Sequence, residues 1–243
     1  MKIAAKTDVG LLRSQNQDMY GAGELAGGIG WAVVCDGMGG AAGGAIASEM
    51  AVRGIADRIV SVCREGMPAS MVRNLLVAAV ENTNTGIYDI ASSDRELRGM
   101  GTTAVAAIIL GNEISIAHVG DSRAYKISPE GEITQLTHDH SVVQEMVDRG
   151  RLSPEQAREH PDRNIITRAI GVGEKVTPDF ICDYLEPGDR VLICTDGLSG
   201  YVSDEEMVEL ISSGSFDECA VRLVGRANAN GGGDNITVVV IEI

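Results

Sequence analysis

Trp31-Ala-Val-Val-Cys-Asp36-Gly37-Met38-Gly39-Gly40 is the stretch on which the reading of this chain turns. From Trp31 to Cys35 it carries no charge, and it is β-branched at Val33 and Val34. Its length suits a buried strand. The run stops on a carboxylate followed by glycines, so the spacing predicts a strand ending at Asp36 on the rim of a sheet. The glycines let the backbone approach whatever that carboxylate binds. The pattern returns at Val191-Leu-Ile-Cys-Thr-Asp196-Gly197-Leu198-Ser199-Gly200. It runs in reverse at Gly231-Gly-Gly-Asp234-Asn235, which opens the strand Ile236-Thr-Val-Val-Val-Ile241. Three aspartates at three strand ends are expected to meet around divalent metal. A single Asp-Gly pair is most often a turn; three of them at the ends of strongly apolar runs weigh against that reading.

Composition narrows the function. The 243 residues are 44% hydrophobic, enough for a sizeable core, and only 3% aromatic, so Ala, Val, Ile and Leu must build it. Few aromatics disfavour a base-stacking surface. A net charge of −15 disfavours the phosphate backbone of nucleic acids. The five cysteines show no C-x-x-C spacing, which points to a reducing compartment. No charged-then-apolar leader and no run of about 18 apolar residues is present. A cytoplasmic protein with no membrane segment is the expectation.

Outward from the Asp36 strand, Lys2–Asp8 reads as a strand and Gly10–Asp18 as a polar, irregular loop. Ala41–Val62 and Met67–Ser92 read as helices, the first with an apolar stripe through Ile46, Met50, Ile55, Ile59 and Val60. The second has Leu75, Leu76, Ala79, Val80 and Thr83 on its apolar side. Gly101–Leu110 and Glu113–Val119 form a hairpin about Gly111-Asn112. Asp121–Ile127 and Ile133–Leu136 continue the meander. From Thr137 to Asn164 apolar periodicity fades, and Ser153-Pro154-Glu155-Gln156 is a capping box within a small helical excursion. Thr177–Leu185 and Asp189–Thr195 are strands. Ser203-x-x-Glu206 and Ser215-x-x-Glu218 open two further helices. Blocks of like elements argue for an α+β fold of antiparallel sheet with segregated helices.

Magnesium and manganese take oxygen ligands, and magnesium keeps several waters. Two such ions about 3.5–4 Å apart can clamp an in-line displacement at phosphorus. That chemistry needs a bridging carboxylate, further aspartates and a cation for the phosphate, for which arginine is suited. Asp36, Asp196, Asp234 and Arg13 could supply them. Gly37-Met-Gly39-Gly-Ala-Ala42 also fits the dinucleotide pattern G-x-G-x-x-A. Asp36 would then lie against a pyrophosphate, and Asp57 falls inside a helix, so that reading is set aside. Histidines 138, 140 and 160 are read as solvent-facing residues of the excursion, since no fourth ligand lies in register for zinc.

Arg13-Ser-Gln-Asn-Gln-Asp18, Asp36-Gly-Met-Gly-Gly40, Gly101-Thr-Thr103, His118-Val-Gly-Asp-Ser-Arg-Ala124, Thr195-Asp-Gly-Leu198 and Gly233-Asp-Asn-Ile-Thr-Val238 occur in that order. The combination resembles the PPM, or type-2C, family of metal-dependent Ser/Thr protein phosphatases in its compact bacterial form. The resemblance implies one domain over residues 1–243. It implies a four-layer α/β/β/α sandwich with two central antiparallel sheets and a small helical flap over about 139–167. It implies two Mn²⁺ or Mg²⁺ ions bridged by Asp36, with a hydroxide held between them attacking the phosphate directly. The Gly37 carbonyl and Asp18 would serve the second ion, and Asp196 and Asp234 the first. Asp121, with Asp196, matches the positions that hold a third ion. Arg13 would hold the phosphate, and His118 and Arg123 are expected to be structural. Met38 stands where many members carry a histidine proposed as general acid, so water must protonate the leaving oxygen. Gln17 stands where many carry Glu, and weaker affinity at the second ion is expected. Substrates would be phosphoproteins made by a Ser/Thr kinase, and the chain would act as a monomer. Two rivals are a non-catalytic phosphoprotein-binding module of the same fold, and an enzyme that uses Asp36 as a phosphate-accepting nucleophile.

Overall fold

The computed structural model describes residues 1–40 and 43–243. Eleven strands form two antiparallel sheets among these residues. In one, β1 (Lys2–Asp8), β11 (Ile236–Glu242), β10 (Arg190–Cys194), β7 (Arg123–Ile127) and β8 (Ile133–Gln135) lie side by side in that order. In the other the order is β2 (Asp18–Leu25), β3 (Ile29–Met38), β5 (Ala104–Leu110), β6 (Glu113–Val119) and β9 (Asp179–Tyr184). The short β4 (Gly101–Thr102) pairs with the far end of β3. The second sheet carries α1 (Gly43–Val62) and α2 (Ala69–Ser93). The first carries α5 (Asp196–Ser199), α6 (Asp204–Ser212) and α7 (Cys219–Ala229). The expected α/β/β/α sandwich is thus present.

Three cores hold the layers together, and β3 shows how. Ala32 and Val34 face the other sheet, while Val33 and Cys35 face the helices. All four are fully buried, which is why the strand reads as an unbroken apolar run with no alternation. The sheet interface sets Val105, Ala107 and Ile116 of one sheet against Val239 of the other.

The hairpin about Gly111-Asn112 forms as expected, with Leu110 opposite Glu113 and Gly111 at φ +63°. Other boundaries need correction. Residues 18–25, assigned no strand above, form the edge strand β2. β3 does not end at Asp36 but runs through Gly37 to Met38. Gly101–Leu110 is split at Thr103 into β4 and β5. The buried stripe of α1 runs through Ala47, Ala51, Val52, Ile55 and Ile59, and Val60 is exposed. Ser203 makes its capping box, but Ser215 makes no capping bond; the chain there turns through a short 3-10 segment, Phe216–Glu218, into α7. The first two residues of the expected helix, Ala41 and Ala42, the latter also closing the glycine pattern, lie outside the described residues.

Between β8 and β9 the chain leaves the sandwich as a flap with two short helices, α3 (Val142–Asp148) and α4 (Pro154–Arg158). Its ends meet. The Thr167 amide donates to the His140 carbonyl at 2.8 Å, and Ser141 pairs with Ile166. His140 is not solvent-facing: it is buried, stacks on fully buried His118 with ring centroids 4.7 Å apart, and its Nδ1 accepts from the Gly120 amide. Burial holds His118 down at about 3. The histidines of the flap do not gather: His138 meets Asp148, His140 meets Asp179 and His160 lies near Asp162.

Candidate metal and phosphate site

The site lies where the two sheets meet at one end. Asp18 and Asp36 are direct cross-strand partners on β2 and β3. Asp196 begins α5 immediately after β10, and Asp234 stands just before β11. Asp121 follows β6 at the turn into β7. Asp36, Asp121, Asp196 and Asp234 line one cleft of about 370 Å³ together with Arg13, Gly37 and Asn164. Every residue picked out by sequence is therefore in or beside one place. Asp18 sits just behind the cleft wall, buried, with its Oδ2 accepting from Thr195 Oγ1 at 2.8 Å.

The carboxylates are crowded and undersupplied with donors. Asp18 Oδ1 and Asp196 Oδ1 are buried with no hydrogen-bond partner. Burial, with repulsion from Asp196 and Asp234, pushes Asp18 up to about 7 against the bonds from Thr237 and Thr195. Burial and the charge of Asp234 bring Asp196 up to about 6. Asp36 and Asp121 are also raised well above the usual carboxylate range, by burial first and neighbouring aspartates second. Orphaned acceptors and mutually repelling acids are what a cation would satisfy. No three acidic, His or Cys side chains among the described residues are drawn into a tight ligand cage.

One arginine completes the cleft. Arg13, half exposed, donates from Nη2 to Asp234 Oδ2 at 2.7 Å. Its loop is held by Asn235, whose amide nitrogen donates to the carbonyls of Val9 and Gln15 and whose Oδ1 accepts from the Gln17 amide. Asn235 went unassigned in the sequence, although it lies inside the Gly-Asp-Asn motif; its signal was adjacency to Asp234. Gly37 is required by space, because a Cβ there would lie 2.1 Å from the Gly44 carbonyl oxygen. Arg123 takes no part in the cleft of Arg13: it grips Asp139 through three hydrogen bonds and donates to Tyr125.

A second cleft of about 310 Å³ opens beyond Asp121, Asp196 and Asp234, between the flap and the turn from α5 to α6. Flap residues Gln144, Arg158 and Arg163 face Tyr201 and Asp204 across it.

This sandwich, with acids and one arginine at its end, is the architecture of metal-dependent phosphatases. The family model of protein phosphatase 2C matches residues 13–231, and the chain belongs to that family. It is an enzyme, a serine/threonine protein phosphatase. It is 39% identical over 243 residues to the serine/threonine phosphatase stp of Listeria monocytogenes, covering all of this chain and 96% of that protein. It is 38% identical to the serine/threonine protein phosphatase PstP of Mycobacterium tuberculosis, of which it spans 45%. The serine/threonine phosphatase of S. agalactiae superposes with a TM-score of 0.92 at 37% identity, over 100% of this chain and 99% of that one. The catalytic domain of PstP, in complex with 2 manganese ions, superposes at 0.86 with 38% identity, over 98% of this chain and 96% of that one.

Proposed function

We propose that the chain, as one domain with a flap over about 139–167, hydrolyses phosphoserine and phosphothreonine in proteins at the Asp36 cleft. The observation that carries this is the crowding of raised carboxylates beside Arg13 at one cavity, with an orphaned oxygen on Asp196 and on Asp18. Asp36 would bridge two Mn²⁺ or Mg²⁺ ions. Asp196 and Asp234 would complete one site, and Asp18 with the Gly37 carbonyl the other. Asp121 with Asp196 would hold a third. The chemistry that bound divalent cations supply is activation of water and neutralisation of phosphate charge.

The chain's own groups then do the rest. Arg13 exchanges its bond to Asp234 for a bidentate grip on the phosphate oxygens. Asn235 keeps the Arg13 loop in register with Asp234. Met38 has no proton to give, and no histidine among the described residues lines either cleft, so the leaving oxygen would take its proton from water. The second cleft receives the polypeptide beside the phosphorylated residue, with the flap as its outer wall. Such substrates would come from a Ser/Thr kinase, and the chain would meet them as a monomer in the cytoplasm. Among the described residues no helix is long and apolar enough to cross a membrane.

The test is p-nitrophenyl phosphate hydrolysis after EDTA treatment and again with added Mn²⁺, for the wild type and Asp234→Asn. Activity restored by manganese in the wild type alone is the expected result. A hydroxylamine-labile phosphoenzyme would instead support Asp36 as nucleophile. Arg13→Ala should raise KM by about tenfold or more with a smaller change in kcat, since it removes a charged hydrogen bond of roughly 1.5–3 kcal/mol to the phosphate. Loss of kcat alone, at unchanged KM, would take Arg13 out of phosphate binding.

A further inference from the structure

β3 pairs with β5 as far as Val34 and with β4 from Gly37 onward. Thr103 fills the break between β4 and β5, opposite Asp36. Its amide donates to the Asp36 carbonyl at 2.9 Å, and the Asp36 amide donates to Thr103 Oγ1 at 2.9 Å. Thr102 Oγ1 donates to the same Asp36 carbonyl at 2.8 Å. Both backbone groups of Asp36 are therefore held by this one corner.

Thr103 also touches the other side of the cleft. Its Oγ1 shares a hydrogen bond of 2.7 Å with Ser122 Oγ, on the residue after Asp121. Its methyl group occupies the space beside Gly120, where a Cβ would fall 2.5 Å from Thr103 Cγ2, and Gly120 takes φ +110°. Thr103 and Ser122 are 1% and 0% exposed, so neither hydroxyl can trade its partner for bulk water. Thr103 thus joins Asp36 to the Gly120–Ser122 turn, through a hydroxyl that accepts from one and pairs with the other.

We propose that Thr103 is a positioning residue that sets the place of Asp36 relative to Asp121 and so couples cation binding at the two carboxylates. The inference rests on Asp36 and Asp121 being cation ligands, as argued above. A β-hydroxyl is essential to it. Valine has nearly the same shape, but it would leave the Asp36 amide without an acceptor and Ser122 without its partner. Serine keeps both bonds and loses only the methyl contact with Gly120.

The experiment is calorimetric titration of Mn²⁺ into the full chain, stripped with EDTA and exchanged into metal-free buffer. Thr103→Val is expected to weaken Mn²⁺ binding by about 10–100-fold, the range for residues that orient metal ligands. Thr103→Ser is expected to restore it. A purely structural threonine would lower the melting temperature of Thr103→Val and leave the Mn²⁺ affinity of the folded protein unchanged. That result would overturn the inference, as would a serine variant as weak as the valine one. Ser122→Ala keeps the bonds between Thr103 and Asp36 and tests the coupling without disturbing β3. Its loss should be confined to one binding event, and an unchanged titration would overturn the coupling. A wild type that binds no Mn²⁺ would overturn the cation reading and this inference together. A binding wild type matched by Thr103→Val overturns this inference alone.

Discussion

Asp36→Asn should keep the fold and lose more than about 100-fold in phosphatase activity, since even residues that merely orient a metal ligand are worth 10–100-fold. The side chain sits between Asp18 on the neighbouring strand and Asp196, Asp121 and Asp234 around the cleft, all of which repel its charge. Its backbone is fixed by Thr102 and Thr103, and those bonds do not depend on the carboxylate. Asparagine keeps the size and removes a negative charge from a crowded acidic site. The metal-free variant should therefore melt at or above the wild-type temperature while its turnover collapses. Circular dichroism melts beside p-nitrophenyl phosphate kinetics would show both. Near-normal turnover would end the claim that Asp36 bridges the ions, and a collapse in melting temperature would make the activity loss uninformative.

The second large effect concerns pH. Asp18, Asp36, Asp121 and Asp196 are all raised in the folded protein, Asp18 to about 7 and Asp196 to about 6. A carboxyl raised on folding binds its proton more tightly in the native state than in the unfolded one. Its stabilising contribution is complete below the unfolded value near 4 and disappears as pH rises through the folded value. The acids' share of the metal-free protein's stability should thus be lost between about pH 4 and pH 7, while buried His118 and His140, both held below the usual imidazole range, act the other way and withdraw stability as pH falls. For a domain of this size 1 kcal/mol is about 2–4 °C in Tm. Saturating Mn²⁺ at pH 7.5 should reverse the loss, by about 2.7 kcal/mol at a hundredfold excess over Kd. Thermal melts of stripped protein across this range, with and without Mn²⁺, measure it. The acids' share is the difference between the wild type and Asp36→Asn, and the same pH dependence in both would contradict the crowding of these acids.

Much of this was legible in the residues. Asp36, Asp196 and Asp234 announce themselves because long apolar runs stop beside them, and β3 and β11 are buried on both faces. β2 was hidden for a definite reason. Gly21 and Gly23 lower its strand propensity, yet a Cβ at either would press on the Trp31 indole, at 3.3 and 3.2 Å. The glycines are there to seat a side chain from the next strand, and local sequence cannot report that. Ile46, Met50, Ile55 and Ile59 of the α1 stripe pack in or against the core and Val60 alone is exposed, while fully buried Ala47 and Ala51 carry too little apolar surface to show in the pattern. The break at Thr103 keeps one register on both sides and falls where the Asp36 amide bonds to the Thr103 hydroxyl in place of a ladder carbonyl, which only the assembled sheet reveals. Ser215 carried the capping pattern and did not cap, since the 3-10 turn placed the chain differently.

The meeting of the flap's ends on His140 has a consequence for how such an enzyme can diversify. The segment begins and finishes at one bonded pair, so its length and composition can change while the rest of the chain keeps its path. Closing a longer loop across the same pair is thermodynamically mild, about 0.6 kcal/mol for each doubling. The scaffold is in effect a socket, and the segment over the second cleft an exchangeable plug. On the proposed reading of the second cleft, recognition of new phosphoproteins would evolve by replacing the plug, while the aspartates of the first cleft stay where the sheets put them.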